Sequence, residues 1–304
     1  MGSEGVVAGH AKNSRSSRVG IVVPCRNEEN NIERCIQTLV AQTLKPHQIL
    51  IVDDGSTDRT PHILGRLAEQ YENVKVVSRD TATRDTGKGI ANAVRYGIDM
   101  LELEDLDYIA KFDADLEFSP DYLERVVAVF NESPKAGLVG GVCAVFDKGS
   151  WQIERLTKLD HVRGALKCYS IAAYKDMNGI APVTGWDTID EHKLRFAGYE
   201  VYCIQDLIVK QHRPTNQLTD VDRMARKVGE SLYHLRSSPL VLLVSILKRA
   251  VVTKPRMSAS AMLAGYRMAK KGGHPVYLNS AEANFANKFR IKGFQSALKN
   301  KLTK

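Results

Sequence analysis

The 304-residue chain reads as an α/β protein: a Rossmann-like, mostly parallel central sheet with helices on both faces, followed by a basic helical C-terminal extension. Three observations predict this. Short β-branched apolar runs alternate with stretches of helical periodicity from Val19 to Asp115, the pattern of a parallel sheet with crossover helices. Each strand-like run ends in a polar or acidic loop, as ligand-binding edges of open sheets do. Charge is also divided along the chain. From Arg223 to Lys304 there are 17 Lys and Arg against two acids, a local charge of +15, while the remaining residues carry 26 against 33, or −7. A mildly acidic body with a basic tail points to an anionic partner for the tail.

Val19–Val23 (VGIVV) is a continuous apolar run and predicts a central buried strand. After the loop PCRNEENN, Ile32, Ile36, Leu39, Val40 and Thr43 recur at helical spacing. Ile49–Val52 is the next strand and ends in DDGSTD. Thr60-Pro61 opens a helix, with Thr60 as N-cap and Pro61 at the first position, and Ile63, Leu64, Leu67, Ala68 and Tyr71 as its buried stripe. Val74–Val77 is a third strand. Beyond SRDTATRDTGKG, a helix should bury Ile90, Val94, Ile98 and Leu101. The run Tyr108 to Asp115 (YIAKFDAD) then supplies a strand. Past Phe118, SPDYLERVVAVF reads as a helix, Leu138–Phe146 as a strand, and Trp151–Tyr174 as mainly helical. GWDTIDEHKLRFAGYEVYCI reads as loop, helix, a stop at Gly198 and a strand, and Arg213-Pro214 closes the body.

Composition sets the class. Hydrophobic residues make up 43% and charged residues 26%, values of a soluble globular protein. No apolar run approaches the ~18 residues a membrane helix needs. The segment MGSEGVVAGHAKNSRSSR lacks the apolar core of a signal peptide, and residues 1–17 are expected to be a disordered tail. Residues 18–215 form the expected catalytic domain and 216–304 the basic helical region. Five scattered cysteines without C-x-x-C spacing argue for reduced thiols in a cytoplasmic setting and against a zinc site.

The chemistry centres on YIAKFDAD. Of three D-x-D triplets, the one at Asp113 and Asp115 alone ends a strand-like run; Asp105/Asp107 lies in an acidic stretch and Asp220/Asp222 in a polar one. Two carboxylates two residues apart share one side of an extended chain. Such a pair suits a hard divalent cation that also grips phosphates.

The ordered motifs P-C-R-N-E, D-D-G-S-T-D, G-K-G before a helix, D-A-D, W-D-x-x-D-E and H-R-P together resemble a family-2 glycosyltransferase of the GT-A fold over residues 18–215 or so. The resemblance implies that Pro24, Arg26, Asn27 and Glu28 form a loop that cups the nucleotide. It implies that Asp54 accepts a hydrogen bond from the base, as an acceptor-only carboxylate can. Asp53 and Asp58 are read as caps of turn and helix. Lys88, between glycines that let the backbone come close, is placed near a diphosphate, with a solvated surface lysine as the alternative. Asp113 is implied near ribose and metal, and Asp115 as a ligand of Mg²⁺ or Mn²⁺. His212 is implied to complete the metal shell or touch a phosphate.

An inverting transfer needs one base for the acceptor hydroxyl. Here the sequence departs from the family's Glu-Asp pair, with Trp186-Asp187 followed by Asp190-Glu191. Counting back from Ala197, Gly198 and Tyr199 places Asp187 at the base position, with Asp190 on the same helix face as a substitute or aid. Trp186 is read as lining the acceptor pocket, or as core. No Q-x-x-R-W follows, so single-sugar, non-processive transfer is expected. The donor expected from the family is a UDP- or dTDP-sugar, and the acceptor a glycan or lipid-linked precursor of surface polysaccharide. Two competing readings are a nucleotidyltransferase and a silent sugar-nucleotide- or polysaccharide-binding module. The basic region reads as a solvated helical lid, a nucleic-acid patch or a membrane-surface anchor, and no nucleic-acid motif accompanies its charge. Its apolar run Leu240–Val252 resembles an interfacial helix, which predicts peripheral attachment to an anionic membrane on the cytosolic face.

Overall fold

The computed structural model describes residues 16–79, 86–154, 160–213, 220–252 and 256–302. Residues 1–15 of the expected tail, and Pro214, lie outside the described residues.

The first half is the expected βα alternation: β1 (Val19–Cys25), α1 (Ile32–Val40), β2 (Gln48–Asp53), α2 (Thr60–Gln70), β3 (Val74–Ser78), α3 (Thr86–Asp99) and β4 (Tyr108–Phe112). These strands lie in the order β3-β2-β1-β4, all parallel. β1 is central, with Val19, Ile21, Val22 and Val23 fully buried, which is why its sequence lacks polar alternation.

Two details differ from expectation. The chain is already helical at Thr60, because the Asp58 carboxylate accepts from the Thr60 amide at 2.9 Å while the Thr60 hydroxyl accepts from the Glu28 amide at 2.8 Å. Val94 and Ile98 of α3 and Leu101 just beyond it are buried, but Ile90 is 44% exposed and Ala91 takes its place. The cause is Gly97. A Cβ there would lie 2.6 Å from Val22 and 2.8 Å from Val52, so α3 rests on the sheet along Ala91, Val94, Gly97 and Ile98.

The second half comprises β5 (Leu116–Glu117), α4 (Tyr122–Glu132), β6 (Ala136–Asp147), β7 (Ser150–Ile153), β8 (Leu166–Ser170), α5 (Ile171–Asp176), α6 (Trp186–Phe196) and β9 (Glu200–Gln211). The sheet continues β4-β8-β6-β9-β5, with β7 paired to β6. Here the pairing is mixed: β8 is antiparallel to both β4 and β6, and β5 to β9, whereas β6 and β9 are parallel. The mainly helical reading of Trp151–Tyr174 is overturned, since most of β7 and all of β8 lie within it and, among the described residues, helix begins at Ile171. In β8, Leu166, Lys167, Cys168 and Tyr169 are all buried, so neither a polar face nor a period of two marks it as a strand. Gly198, at φ +93°, ends α6 as expected.

The extension is α7 (Val221–His234), α8 (Pro239–Leu247), a wide helical turn at Lys248–Val252, α9 (Ala259–Lys271) and α10 (Ser280–Leu302). It shares a core with the body: Ala181, Val183 and Ile189 pack with Leu235, Leu278, Ala283 and Ala286. Phe285 and Phe289 of α10 set their rings against Phe196 and His192 of α6. No helix among the described residues is long and apolar enough to cross a membrane.

Candidate active site

The carboxyl ends of β1, β2 and β4 share one edge of the sheet, and the loops that leave them are laced together. Asn27 adopts a left-handed backbone (φ +53°), a conformation asparagine tolerates better than most residues. Its amide donates to Ser56 Oγ at 2.9 Å, and its Oδ1 accepts from the Thr57 amide at 2.8 Å. The two expected nucleotide loops are thereby joined. Glu28 is buried, accepts from Asn31 Nδ2 at 3.0 Å and pairs with Arg213. Asp53 Oδ1 accepts from the Ser56 amide at 3.0 Å, and Asp58 caps the start of α2, matching their expected capping roles. Pro24 is in register with Val52 at the same edge.

Asp54 follows β2, and its amide donates to Cys25 O at 2.9 Å. Burial raises its carboxyl above the usual range, partly opposed by Arg79 and Arg26. Arg79 Nη1 lies 3.2 Å from Asp54 Oδ1, and the guanidinium sits over the Tyr96 ring. Lys88 lies in the first turn of α3, and its side chain falls outside the described residues.

Asp113 and Asp115 follow β4 but have different surroundings. The half-exposed Asp113 pairs with Lys111, whose Nζ, although 2% exposed overall, also donates to Gly164 O at 2.9 Å. Asp115 is 2% exposed. Its Oδ2 accepts from Gln211 Nε2 at 3.3 Å and lies 3.7 Å from Arg213 Nε, while its buried Oδ1 has no hydrogen-bond partner. Burial, then the charge of Asp113, pushes the Asp115 carboxyl up to about 6, with Arg213 pulling the other way. A buried, unpartnered carboxylate oxygen beside a second carboxylate is a donor set suited to a divalent cation. His212 is held alongside: its amide donates to Asp115 O at 2.9 Å, and its Nε2 lies 2.8 Å from Glu117 Oε2.

Across the edge stands α6. Gly185, at φ +82°, turns the chain into the helix, and Asp187 occupies its first turn, half-exposed. A Cβ on Gly164 would lie 3.2 Å from Asp187 Cβ and 3.4 Å from Asp187 Oδ2. Gly164 and Ala165 therefore bridge the two acidic sites, because Lys111 donates to one carbonyl and the Asp113 amide to the other at 3.2 Å.

Lys167 of β8, fully buried, donates to Asp187 O at 2.6 Å and to both Asp190 oxygens at 2.9 and 3.0 Å. Tyr169 donates to Asp190 Oδ2 at 2.5 Å. Burial alone would lower the Lys167 ammonium, but Asp190, Glu191 and Asp187 outweigh it and hold the charge. Asp190 is 1% exposed, and both of its oxygens accept hydrogen bonds, from Lys167, Tyr169 and the Glu191 amide. Trp186 is likewise core, 7% exposed, with the Lys111 and Lys167 ammonium groups each 5.7 Å from its ring centre. Arg249, from the turn after α8, interacts electrostatically with Asp187 and brings the extension to the start of α6.

Sequence reasoning missed Lys111, Gly164, Lys167, Arg79 and Arg213. Lys111 carried a signal, a lysine inside the apolar run YIAKF; Lys167 lay in the stretch read as helix.

A half-sheet of parallel strands with acidic loops at its carboxyl edge, closed by a mixed half that carries one further acidic helix, defines the GT-A class of α/β folds. The glycosyl transferase family 2 model matches residues 20–180, more than half of the chain, and the chain belongs to that family. A β-monoglucosyldiacylglycerol synthase of Nostoc sp. is 36% identical over 123 residues, covering 40% of this chain and 25% of that protein. The matched stretch thus spans about a quarter of the length of such curated relatives. Among solved structures, the mannosyltransferase PcManGT of Pyrobaculum calidifontis, in complex with GDP-Man and Mn²⁺, aligns at TM-score 0.56 and 17% identity over 94% of this chain and 81% of that one. TarS 1-349 of S. aureus with UDP-GlcNAc aligns at TM-score 0.54 and 16% identity, covering 83% of this chain and 73% of that one. These are likenesses of fold.

Proposed function

We propose that the chain is a metal-dependent, inverting, non-processive glycosyltransferase that moves one sugar from a nucleoside-diphosphate donor to an acceptor hydroxyl. One observation carries the reading: Asp113, bonded through its amide to Ala165 and two residues before the orphaned Asp115 oxygen, and the half-exposed Asp187, against Gly164, stand on two sides of the Gly164–Ala165 bridge. Asp113, Asp115 and His212 would hold Mg²⁺ or Mn²⁺, which when bound neutralises charge on the departing diphosphate. Asp54 accepts an N–H from the base, a uracil or thymine in the family reading, once Arg79 yields; Arg26 and Lys88 supply positive charge toward the phosphates. Asp187 takes the acceptor proton while the acceptor oxygen bonds to the anomeric carbon on the face opposite the breaking bond to diphosphate. Asp190 and Trp186 serve by holding the start of α6 in place.

The acceptor side favours a lipid-linked substrate. Leu240, Leu243, Leu247 and Val251 form an exposed apolar stripe at helical spacing, each at least half exposed, and it leads into the turn that carries Arg249 to Asp187. Together with the +15 charge of residues 223–304, this describes a surface that lies on an anionic cytosolic leaflet.

Asp187→Asn should abolish turnover yet keep Mn²⁺-dependent binding in a thermal-shift panel of UDP-, dTDP- and GDP-sugars. Full turnover in Asp187→Asn would remove the base assignment. For the membrane, a Leu243→Asp/Leu247→Asp variant should lose flotation with phosphatidylglycerol vesicles. Equal flotation of parent and variant would refute the interfacial stripe.

A further inference from the structure

A second cluster of ligating side chains lies in the extension, apart from the acidic crevice. Glu230 and His234 are one turn apart on α7, so they share a face. His274 joins them from the turn after α9, where Gly273 (φ +62°) reverses the chain and the His274 amide donates back to Ala269 O at 3.0 Å. One oxygen or nitrogen from each of the three residues falls within 4.8 Å of the others.

The hydrogen bonding fixes what these atoms offer. His234 is fully buried, and its Nδ1 lies 2.7 Å from Pro275 O. A carbonyl only accepts, so Nδ1 carries a proton, and Nε2 is the ring nitrogen left to present a lone pair to a cation. That Nε2 is 3.6 Å from Glu230 Oε1, and His274 Nδ1 is 3.3 Å from the same oxygen; both nitrogens are buried without a hydrogen-bond partner. These separations exceed the range of a good N–H···O bond, about 2.7–3.2 Å. They match the edge of a tetrahedron, because two ligands each about 2.0–2.1 Å from Zn²⁺ stand roughly 3.3 Å apart.

We propose that Glu230, His234 and His274 form a binding site for a transition-metal dication of the Zn²⁺ type, with the fourth position open to solvent along the partly exposed His274. The carbonyl that orients His234 is the outer-shell partner metal-bound imidazoles usually have. The ion ties α7 to the α9–α10 connection. Its effect reaches the crevice, since Ser231, next to Glu230, packs against Gly185 at the start of α6: a Cβ on Gly185 would lie 2.0 Å from Ser231 Oγ.

The test uses untagged full-length protein stripped with chelator. Asp115→Asn serves as background, to remove the crevice carboxylate with the unpartnered oxygen. This protein should retain about one Zn²⁺ per chain after gel filtration, show the ligand-field absorption of a tetrahedral site with Co²⁺, and melt at higher temperature with Zn²⁺. Adding His274→Ala or, as a shape-conserving second variant, Glu230→Gln should weaken Zn²⁺ binding at least tenfold and abolish the melting shift. No Zn²⁺ retained by the background protein, or equal retention by background and both double variants, would overturn the site and reduce the cluster to histidine–glutamate ion pairs. Neither outcome bears on the glycosyltransferase reading, which Asp187→Asn tests.

Discussion

Replacing Lys167 by methionine is the sharpest probe of how the fold holds its candidate base. Met has the length of the lysine stem but no charge, so Asp190 would keep only neutral donors, Tyr169 and the Glu191 amide, in a fully buried setting. Breaking a buried pair by removing one partner typically costs about 3–5 kcal/mol, because the other charge stays uncompensated. At roughly 2 °C per kcal/mol for a domain of this size, Lys167→Met should melt roughly 6–10 °C lower. The sign with pH follows. Burial already raises the Asp190 carboxyl to about 6 against the pull of Lys167, and without the ammonium it sits higher still. The deficit is therefore full above that raised value and shrinks as pH falls through it, when Asp190 takes up a proton. Replacing both partners, as in Lys167→Met/Asp190→Leu, removes the stranded charge and should recover a good part of the loss. Urea unfolding of the parent, the two single variants and the double variant, at two pH values, supplies the cycle. A loss under about 1 kcal/mol in Lys167→Met, or strict additivity in the double variant, would refute the account of Lys167 as the buried charge that anchors α6.

The crevice supports three further expectations. Asp115, raised to about 6 by burial, costs the metal-free fold stability as pH rises from its unfolded value through about 6. Asp115→Asn should therefore melt higher than the parent in chelator at alkaline pH, by up to about 3 kcal/mol in stability, and match it near pH 4; a lower melting point throughout would contradict this. In the parent, Mn²⁺-dependent nucleotide binding should weaken as pH falls below about 6, because a protonated Asp115 no longer attracts the cation. Gly164→Ala would put a methyl 3.2 Å from both Asp187 Cβ and Trp186 Cζ2, so a neighbour must shift by tenths of an ångström. Turnover should fall on the order of tenfold, while stability drops by about 1–3 kcal/mol at most; single-turnover rates unchanged from the parent would show that Asp187 is not held by this contact.

What the sequence discloses and what it hides follow from burial. β1 and β2 were legible because parallel strands buried on both faces are continuous apolar runs between loops, and α2 because its stripe repeats at helical spacing. β8 is buried on both faces too, yet two of its five residues are Lys167 and Tyr169, which point at Asp190 rather than at hydrocarbon. An internal ion pair thus erased the apolar signature that would have marked the strand, and the segment was read as helix. The same cause separates the acidic residues. Asp187 and Asp190 share a helix face three positions apart and look equivalent in the chain. What distinguishes them is a lysine from another strand, 23 residues earlier than Asp190, that takes both oxygens of one and only the carbonyl of the other. Asp115 differs from Asp113 for the same kind of reason. Lys111, on their own strand, neutralises Asp113, while Gln211 and Arg213 arrive from the far end of the sheet and leave one Asp115 oxygen bare. A motif locates the carboxylates, and the non-local cations decide which oxygens remain for chemistry.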